Sequence, residues 1–265
     1  MIDELSALIE KHWSIYGRTE PYERYRISFT KFCQRVVQPH TKVLYFVTYR
    51  EAPLCILKTV RGPEYNENLL REAKYQAAAP RTAVLSAPRV FWTDEVRGRA
   101  VYAEEYIDAL PVSLHDYRAL APEIATFSAA MPQSGTIRSD EFADRIAPFV
   151  PEDPVLTRHL ATLRALKAPL QLGLSHGDMG RQNILGTATR AWVIDWERAG
   201  DVPVRYFDLY ATDFRLRKRW GRASVPSLTV SEEVEQCLVA VTEIYVRLYS
   251  KYLHRYRDLA AISVV

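Results

Sequence analysis

One stretch of the sequence carries side chains whose types and spacing suit a defined chemistry. His176-Gly177-Asp178 is followed, five positions after the aspartate, by Asn183, and a later apolar run ends in Val193-Ile194-Asp195-Trp196-Glu197. The order is carboxylate, amide, second carboxylate. Phosphoryl transfer calls for such a set: one carboxylate to accept the proton of an attacking hydroxyl, and oxygen ligands to hold magnesium against nucleotide phosphates. An Asp or an Asn alone is common in turns, where it bonds nearby backbone, so only the combined order and spacing carries weight.

The elements able to hold such a set are legible from periodicity. Ile2, Leu5, Leu8, Ile9 and Trp13 recur at helical spacing up to Gly17, which predicts one amphipathic helix over residues 2–16. Residues 43–49 and 54–60 are β-rich runs on either side of Arg50-Glu51-Ala52-Pro53, a hairpin pattern. Residues 68–79 have helical spacing and stop at Pro80, and residues 90–93 and 100–107 predict two further strands around Arg97-Gly98. Beyond Ile107 helices dominate, over residues 114–131, 153–167 and 231–256. In the last of these, Tyr245, Tyr249, Tyr252 and Tyr256 recur at the spacing of a packed face. The expectation is an α+β chain with a small β-rich lobe over residues 1–107 and a mainly helical lobe over 108–265.

Composition narrows the function classes. With 265 residues, 48% hydrophobic and 25% charged, the chain sits in the globular range, which excludes a disordered or repetitive protein. No run approaches the ~20 apolar residues of a membrane-spanning helix. Asp3, Glu4, Glu10 and Lys11 stand where a secretion signal is apolar. Cys33, Cys55 and Cys237 are an odd, scattered set, which points to a reducing, cytoplasmic setting. Lys and Arg total 35 against 32 Asp and Glu, a formal charge of +3 that is too small on its own to argue for nucleic acid and leaves the partner open, although no nucleic-acid partner is expected. One basic cluster stands out: Arg215, Arg217, Lys218, Arg219 and Arg222.

The run HGDxxxxNIL followed by VIDWE resembles the aminoglycoside phosphotransferase and choline kinase family, whose members share a bilobal protein-kinase-like fold. The resemblance implies ATP as donor and Mg2+ as metal. Residue by residue, it makes Asp178 the catalytic base and Asn183 and Asp195 the magnesium ligands, with His176 bracing the loop. It makes Lys58, in a strand run, and Glu72, in the next helix, an ion pair that aims the ammonium at the nucleotide phosphates. Taken singly, each of these two reads as an ordinary surface charge. Main-chain groups of Glu105, Tyr106 and Ile107 fall where the family's hinge bonds adenine, although the same run reads equally as an edge strand. Arg181 either supports the transferred phosphoryl group or pairs with a surface carboxylate. Asp208, after Gly200-Asp201, matches the aspartate that steadies the family's catalytic loop.

One departure stands out. The family covers the phosphates with a Gly- or Ser-rich turn, yet the corresponding stretch here, residues 37–42, holds no glycine. Side chains such as His40, Thr41 or Lys42 are the candidates to replace backbone amides there. The departure supports an alternative, a nucleotide-binding scaffold of kinase-like fold with weak or no turnover. A protein kinase is disfavoured, because HGD replaces HRD and no APE signature follows. The activity implied is transfer of the γ-phosphoryl group of Mg-ATP to a hydroxyl of a small molecule. The basic cluster would repel a polycation, so a sugar or sugar-containing metabolite is expected ahead of an aminoglycoside.

Overall fold

The computed structural model describes residues 1–32, 42–212 and 230–262. Cys33, residues 37–41 of the glycine-poor stretch, and the cluster of Arg215, Arg217, Lys218, Arg219 and Arg222 lie outside the described residues. The chain forms two compact units, Met1–Ala78 with Ala87–Ala109, and Ala79–Ser86 with Leu110–Val265.

The first unit is built on an antiparallel sheet. Its strands are β1 (Ile27–Phe32), β2 (Lys42–Tyr49), β3 (Ala52–Val60), β5 (Val90–Val96) and β6 (Arg99–Glu104), in the order β1-β2-β3-β6-β5. Helices α1 (Ile2–Lys11) and α2 (Asn66–Ala78) cover its two faces. Because strand residues alternate between faces, the register decides which helix each side chain meets. Val47, Leu57, Val101 and Ala103 pack with Leu5, Ile9 and Trp13. Val60, Ala100 and Tyr102 pack with Leu69 and Ala73 of α2. Lys58 lies opposite Leu44 and Tyr102 and shares the parity of Val60, so it is delivered to the α2 face.

In the second unit a short strand, β4 (Leu85–Ser86), pairs in parallel with β10 (Ala191–Val193), which pairs antiparallel with β9 (Ile184–Gly186). A second ladder joins β7 (Gln133–Arg138) to β8 (Pro169–Gly173). The helices are α3 (Leu114–Ala119), α4 (Ala121–Ala130), α5 (Ser139–Ile146), α6 (Pro154–Leu166), α7 (Glu232–Lys251) and α8 (Leu253–Ile262). The Asp153 carboxylate accepts from the N–H groups of Val155 and Leu156, and Pro154 occupies the first turn, which starts α6. Leu156, Leu160 and Leu163 of α6 share one core with Val241, Ile244 and Leu248 of α7. Among the described residues no helix is long and apolar enough to cross a membrane.

Three helices expected to be continuous are each divided. The first stops at Lys11 and resumes as a tighter 3-10 turn over Trp13–Tyr16. That turn swings Trp13 into the core, where its ring meets Tyr49 edge-on at 4.7 Å and its indole N–H donates to the Glu20 carbonyl at 2.7 Å. The 114–131 segment breaks at Leu120, because Pro122 fits only the first turn of a new helix. The C-terminal helix breaks at Tyr252, whose hydroxyl donates to Asp153 at 3.2 Å. Strand β6 stops at Glu104 rather than Ile107, since its partner β5 begins opposite Glu104. The sequence reading missed β4, β7, β8 and α5, which are short.

The β2–β3 hairpin closes through Arg50 and Glu51, both with positive φ (50° and 68°), while Tyr49 pairs with Ala52. Such a two-residue turn matches the strand twist but places two ordinary residues in the left-handed region, at about 1–2 kcal/mol each. Glu51→Gly is expected to stabilise the protein by roughly 1 kcal/mol through relief of that backbone cost. Thermal unfolding of the two forms checks this, and a lowered midpoint for the glycine variant would contradict it.

Candidate active site

In the first unit, four charges share one buried cluster. Lys58 Nζ donates to Glu72 Oε1 at 2.9 Å and pairs with Glu104 Oε1 at 3.0 Å, and Lys42 Nζ donates to Glu72 Oε2 at 3.0 Å. The Tyr102 hydroxyl donates to Glu72 Oε1 at 2.9 Å, and Gln76 Nε2 donates to Glu104 Oε2 at 2.6 Å. Glu72 and Gln76, one helical turn apart on α2, face the sheet together. Lys58, Glu72 and Glu104 are 4%, 1% and 6% exposed. Burial pushes the Glu72 carboxyl upward, but the Lys58 and Lys42 ammonium groups outweigh it and hold it at about 2. Glu104 and Gln76 were absent from the sequence reading. The signal for Glu104 was a glutamate ending the apolar run 100–103 at an inward strand position.

The hinge residues follow directly. The Glu105 N–H donates to the Arg89 carbonyl at 2.8 Å, and the Tyr106 ring packs on Phe46 at 4.8 Å.

In the second unit, the loop carrying Asp178 is pinned from three directions. Buried Asp208 accepts from the His176 N–H at 2.6 Å and from the Gly177 N–H at 2.9 Å. Gly177 has φ +81°, and a Cβ there would collide with the Arg198 carbonyl, so no other residue fits this turn. His176 is fully buried, and burial lowers its pKa despite the nearby Asp208 charge. The neutral ring suits its contacts: Nδ1 accepts from the Asp178 N–H at 3.2 Å, and Nε2 lies 2.9 Å from the Ile194 carbonyl, to which it donates in the matching tautomer. Its ring stands edge-on to buried Trp196 at 4.7 Å.

Asn183 closes the loop. Its Nδ2 donates to the Asp178 carbonyl at 2.9 Å and reaches Asp178 Oδ2 at 3.4 Å, which turns its Oδ1 away, with no hydrogen bond among the described residues. The Ile194 N–H donates to the Asn183 carbonyl at 2.9 Å, and Val193 pairs with Ile184, so the loop end and the approach to Asp195 are stitched together. Asp195 itself has φ 62°, in the left-handed region that aspartate tolerates better than most non-glycine residues. An amide oxygen and a carboxylate are hard donors that suit Mg2+. Among the described residues no group of three His, Cys, Asp or Glu side chains forms a metal cage, and Mg2+ needs none, because it keeps waters and leans on substrate phosphates.

Arg181 donates from Nη1 to the Val112 carbonyl at 3.1 Å. Arg198 lies beside Asp178, with Nη1 3.9 Å from Asp178 Oδ2. Arg198 Nη2 donates to the Tyr256 hydroxyl at 2.6 Å, Tyr256 donates to Asp201 at 3.1 Å, and the Tyr249 ring lies 3.8 Å from the guanidinium carbon. Arg198 carries no local sequence signal, since its partners on α7 and α8 are more than 50 residues distant.

Comparison with known proteins places this geometry. Residues 43–224 match the phosphotransferase enzyme family, APH. No curated protein matches the sequence. An aminoglycoside phosphotransferase, a thermostable mutant in ternary complex with ADP and hygromycin B, is similar with TM-score 0.52 and 14% identity, over 97% of this chain and 95% of that one. A macrolide 2'-phosphotransferase from Brachybacterium faecium is similar with TM-score 0.54 and 16% identity, over 99% and 97% of the two chains. A candidate fructosamine-3-kinase from Haemophilus somnus gives TM-score 0.55 and 11% identity over 97% of each chain. At such identities these likenesses carry the protein-kinase-like fold. Since the family match spans most of the chain, with the Asp178 loop and the Asp195 segment inside it, the chain belongs to the phosphotransferase enzyme family as a small-molecule kinase.

Proposed function

We propose that the protein transfers the γ-phosphoryl group of Mg-ATP to a hydroxyl of a small molecule. The observation that carries this reading is the Asp178 carboxylate, 3.4 Å from the Asn183 amide on a loop gripped by buried Asp208. Asp178 accepts the hydroxyl proton, and Asn183 and Asp195 hold Mg2+, which offsets charge on the phosphates when bound. Lys58, held by Glu72, binds the nucleotide phosphates, and the main chain of Glu105–Ile107 meets the adenine. Arg181 remains a second-line candidate for the transferred group. Residues 1–107 then serve the nucleotide and 108–265 the chemistry and the acceptor. The ADP bound to one structural neighbour supports a nucleotide donor. Free, buried thiols at Cys55 and Cys237 support a reducing, cytoplasmic setting.

A neutral or anionic hydroxyl acceptor, such as a sugar or sugar-containing metabolite, fits best. The basic cluster at 215–222 supports it, since clustered guanidinium groups would repel a polycation. Steady-state comparison of neutral sugars, phosphorylated sugars and aminoglycosides tests this part, and a higher kcat/KM for aminoglycosides would overturn it.

Asp178→Asn is expected to lower kcat by about 10²–10⁴-fold while Mg-ATP binding stays near wild type, because only the proton acceptor is lost. ADP formation together with titration calorimetry reads both, and a near-normal rate would remove Asp178 from its role. Asp195→Ala is expected to act differently, weakening Mg-ATP binding itself through loss of a charged metal ligand. A magnesium titration of nucleotide binding checks this; an unchanged dependence would exclude Asp195 as ligand.

A further inference from the structure

The buried charge cluster of the first unit holds more than a single ion pair. Lys58 faces two carboxylates, Glu72 at 2.9 Å and Glu104 at 3.0 Å. Carboxylates close to an incoming triphosphate would repel it unless cations stand beside them. Lys42 adds a second cation here, because its ammonium takes the other Glu72 oxygen at 3.0 Å. The strand register makes this possible: Lys42 lies opposite Val60 and Leu44 opposite Lys58, so both lysines point to the same face of the sheet. The Lys42 side chain is 16% exposed against 5% for Lys58, which makes it the more accessible ammonium. Lys42 also ends the stretch 37–42, where no glycine lets the backbone come close to phosphate.

We propose that Lys42 is a second phosphate-binding residue for the donor nucleotide, working beside Lys58 across their shared Glu72. The inference rests on the reading of Lys58 as the nucleotide lysine. Glu72 then holds two cations in register, one on each oxygen, and Glu104 fixes Lys58 from the opposite side while Gln76 fixes Glu104. Two side-chain charges do the work that backbone amides perform in a glycine-rich loop.

Titration calorimetry of the full chain with Mg-ATP, and with adenosine as a phosphate-free probe, tests this. Lys42→Met is expected to weaken Mg-ATP binding roughly tenfold or more, as for loss of a charge-assisted hydrogen bond. Adenosine binding should not change, and Lys42→Arg should keep most of the affinity for Mg-ATP. Repeating Lys42→Met in a Glu72→Gln background separates direct contact from an effect relayed through Glu72, because a direct contact still costs affinity there. The proposal fails if Lys42→Met binds Mg-ATP like wild type, if adenosine affinity falls equally, or if the Glu72→Gln background abolishes the effect. A wild-type chain without affinity for Mg-ATP would instead bring down the nucleotide reading as a whole, and this proposal with it.

Discussion

Charge buried away from water must be matched at close range, and this constraint shapes both units. Glu72 is almost fully enclosed yet stays ionised, because Lys58, Lys42 and the Tyr102 hydroxyl converge on its two oxygens. Buried ion pairs contribute little net stability, since desolvation offsets the attraction, and removing one partner costs several kcal/mol. Their worth here lies in position. A lysine gripped by two carboxylates has one place to be, and the sheet and α2 must be assembled correctly for it to get there.

The second unit meets the same constraint with different means. At Asp208 the backbone N–H groups of His176 and Gly177 approach the carboxylate. Those bonds shape the turn that presents Asp178, and the neutral His176 ring holds the turn to the strand before Asp195. Arg198 is matched by Asp178, Asp201 and two tyrosine rings. Phosphoryl transfer gains most from positioning and electrostatics, since its transition state asks for little covalent help from the protein. A site built from interlocked charges and backbone dipoles suits that demand.

How much of this was legible in the sequence follows from the range of each interaction. HGDxxxxN and IDWE are local patterns, and the bonds that unite them, Asn183 to Asp178 and Ile194 to Asn183, span few residues. Hairpin β2–β3 and helix α2 were likewise readable, because alternation and helical spacing are properties of neighbouring residues. Lys58 and Glu72 were legible as a pair only through the family resemblance, whereas Glu104 left only the trace of a glutamate closing an apolar run and Gln76 left none.

The sequence by itself determined the chemistry on offer: the carboxylates, the amide, the strand lysine, the helix glutamate, and the α+β order of elements. Tertiary structure alone decided which charges meet. Glu104 reaches Lys58 because β6 lies beside β3 in a given register, and Lys42 shares Glu72 because β2 lies on the other side. Leu85–Ser86 joins the second unit by a parallel pairing with Ala191–Trp192, more than a hundred residues away. The Tyr249, Tyr256 and Asp201 side chains surround Arg198 because α7 breaks at Tyr252. Such contacts depend on register, strand order and the place where a helix ends, and these are set by packing across the whole unit, which no short window of sequence contains.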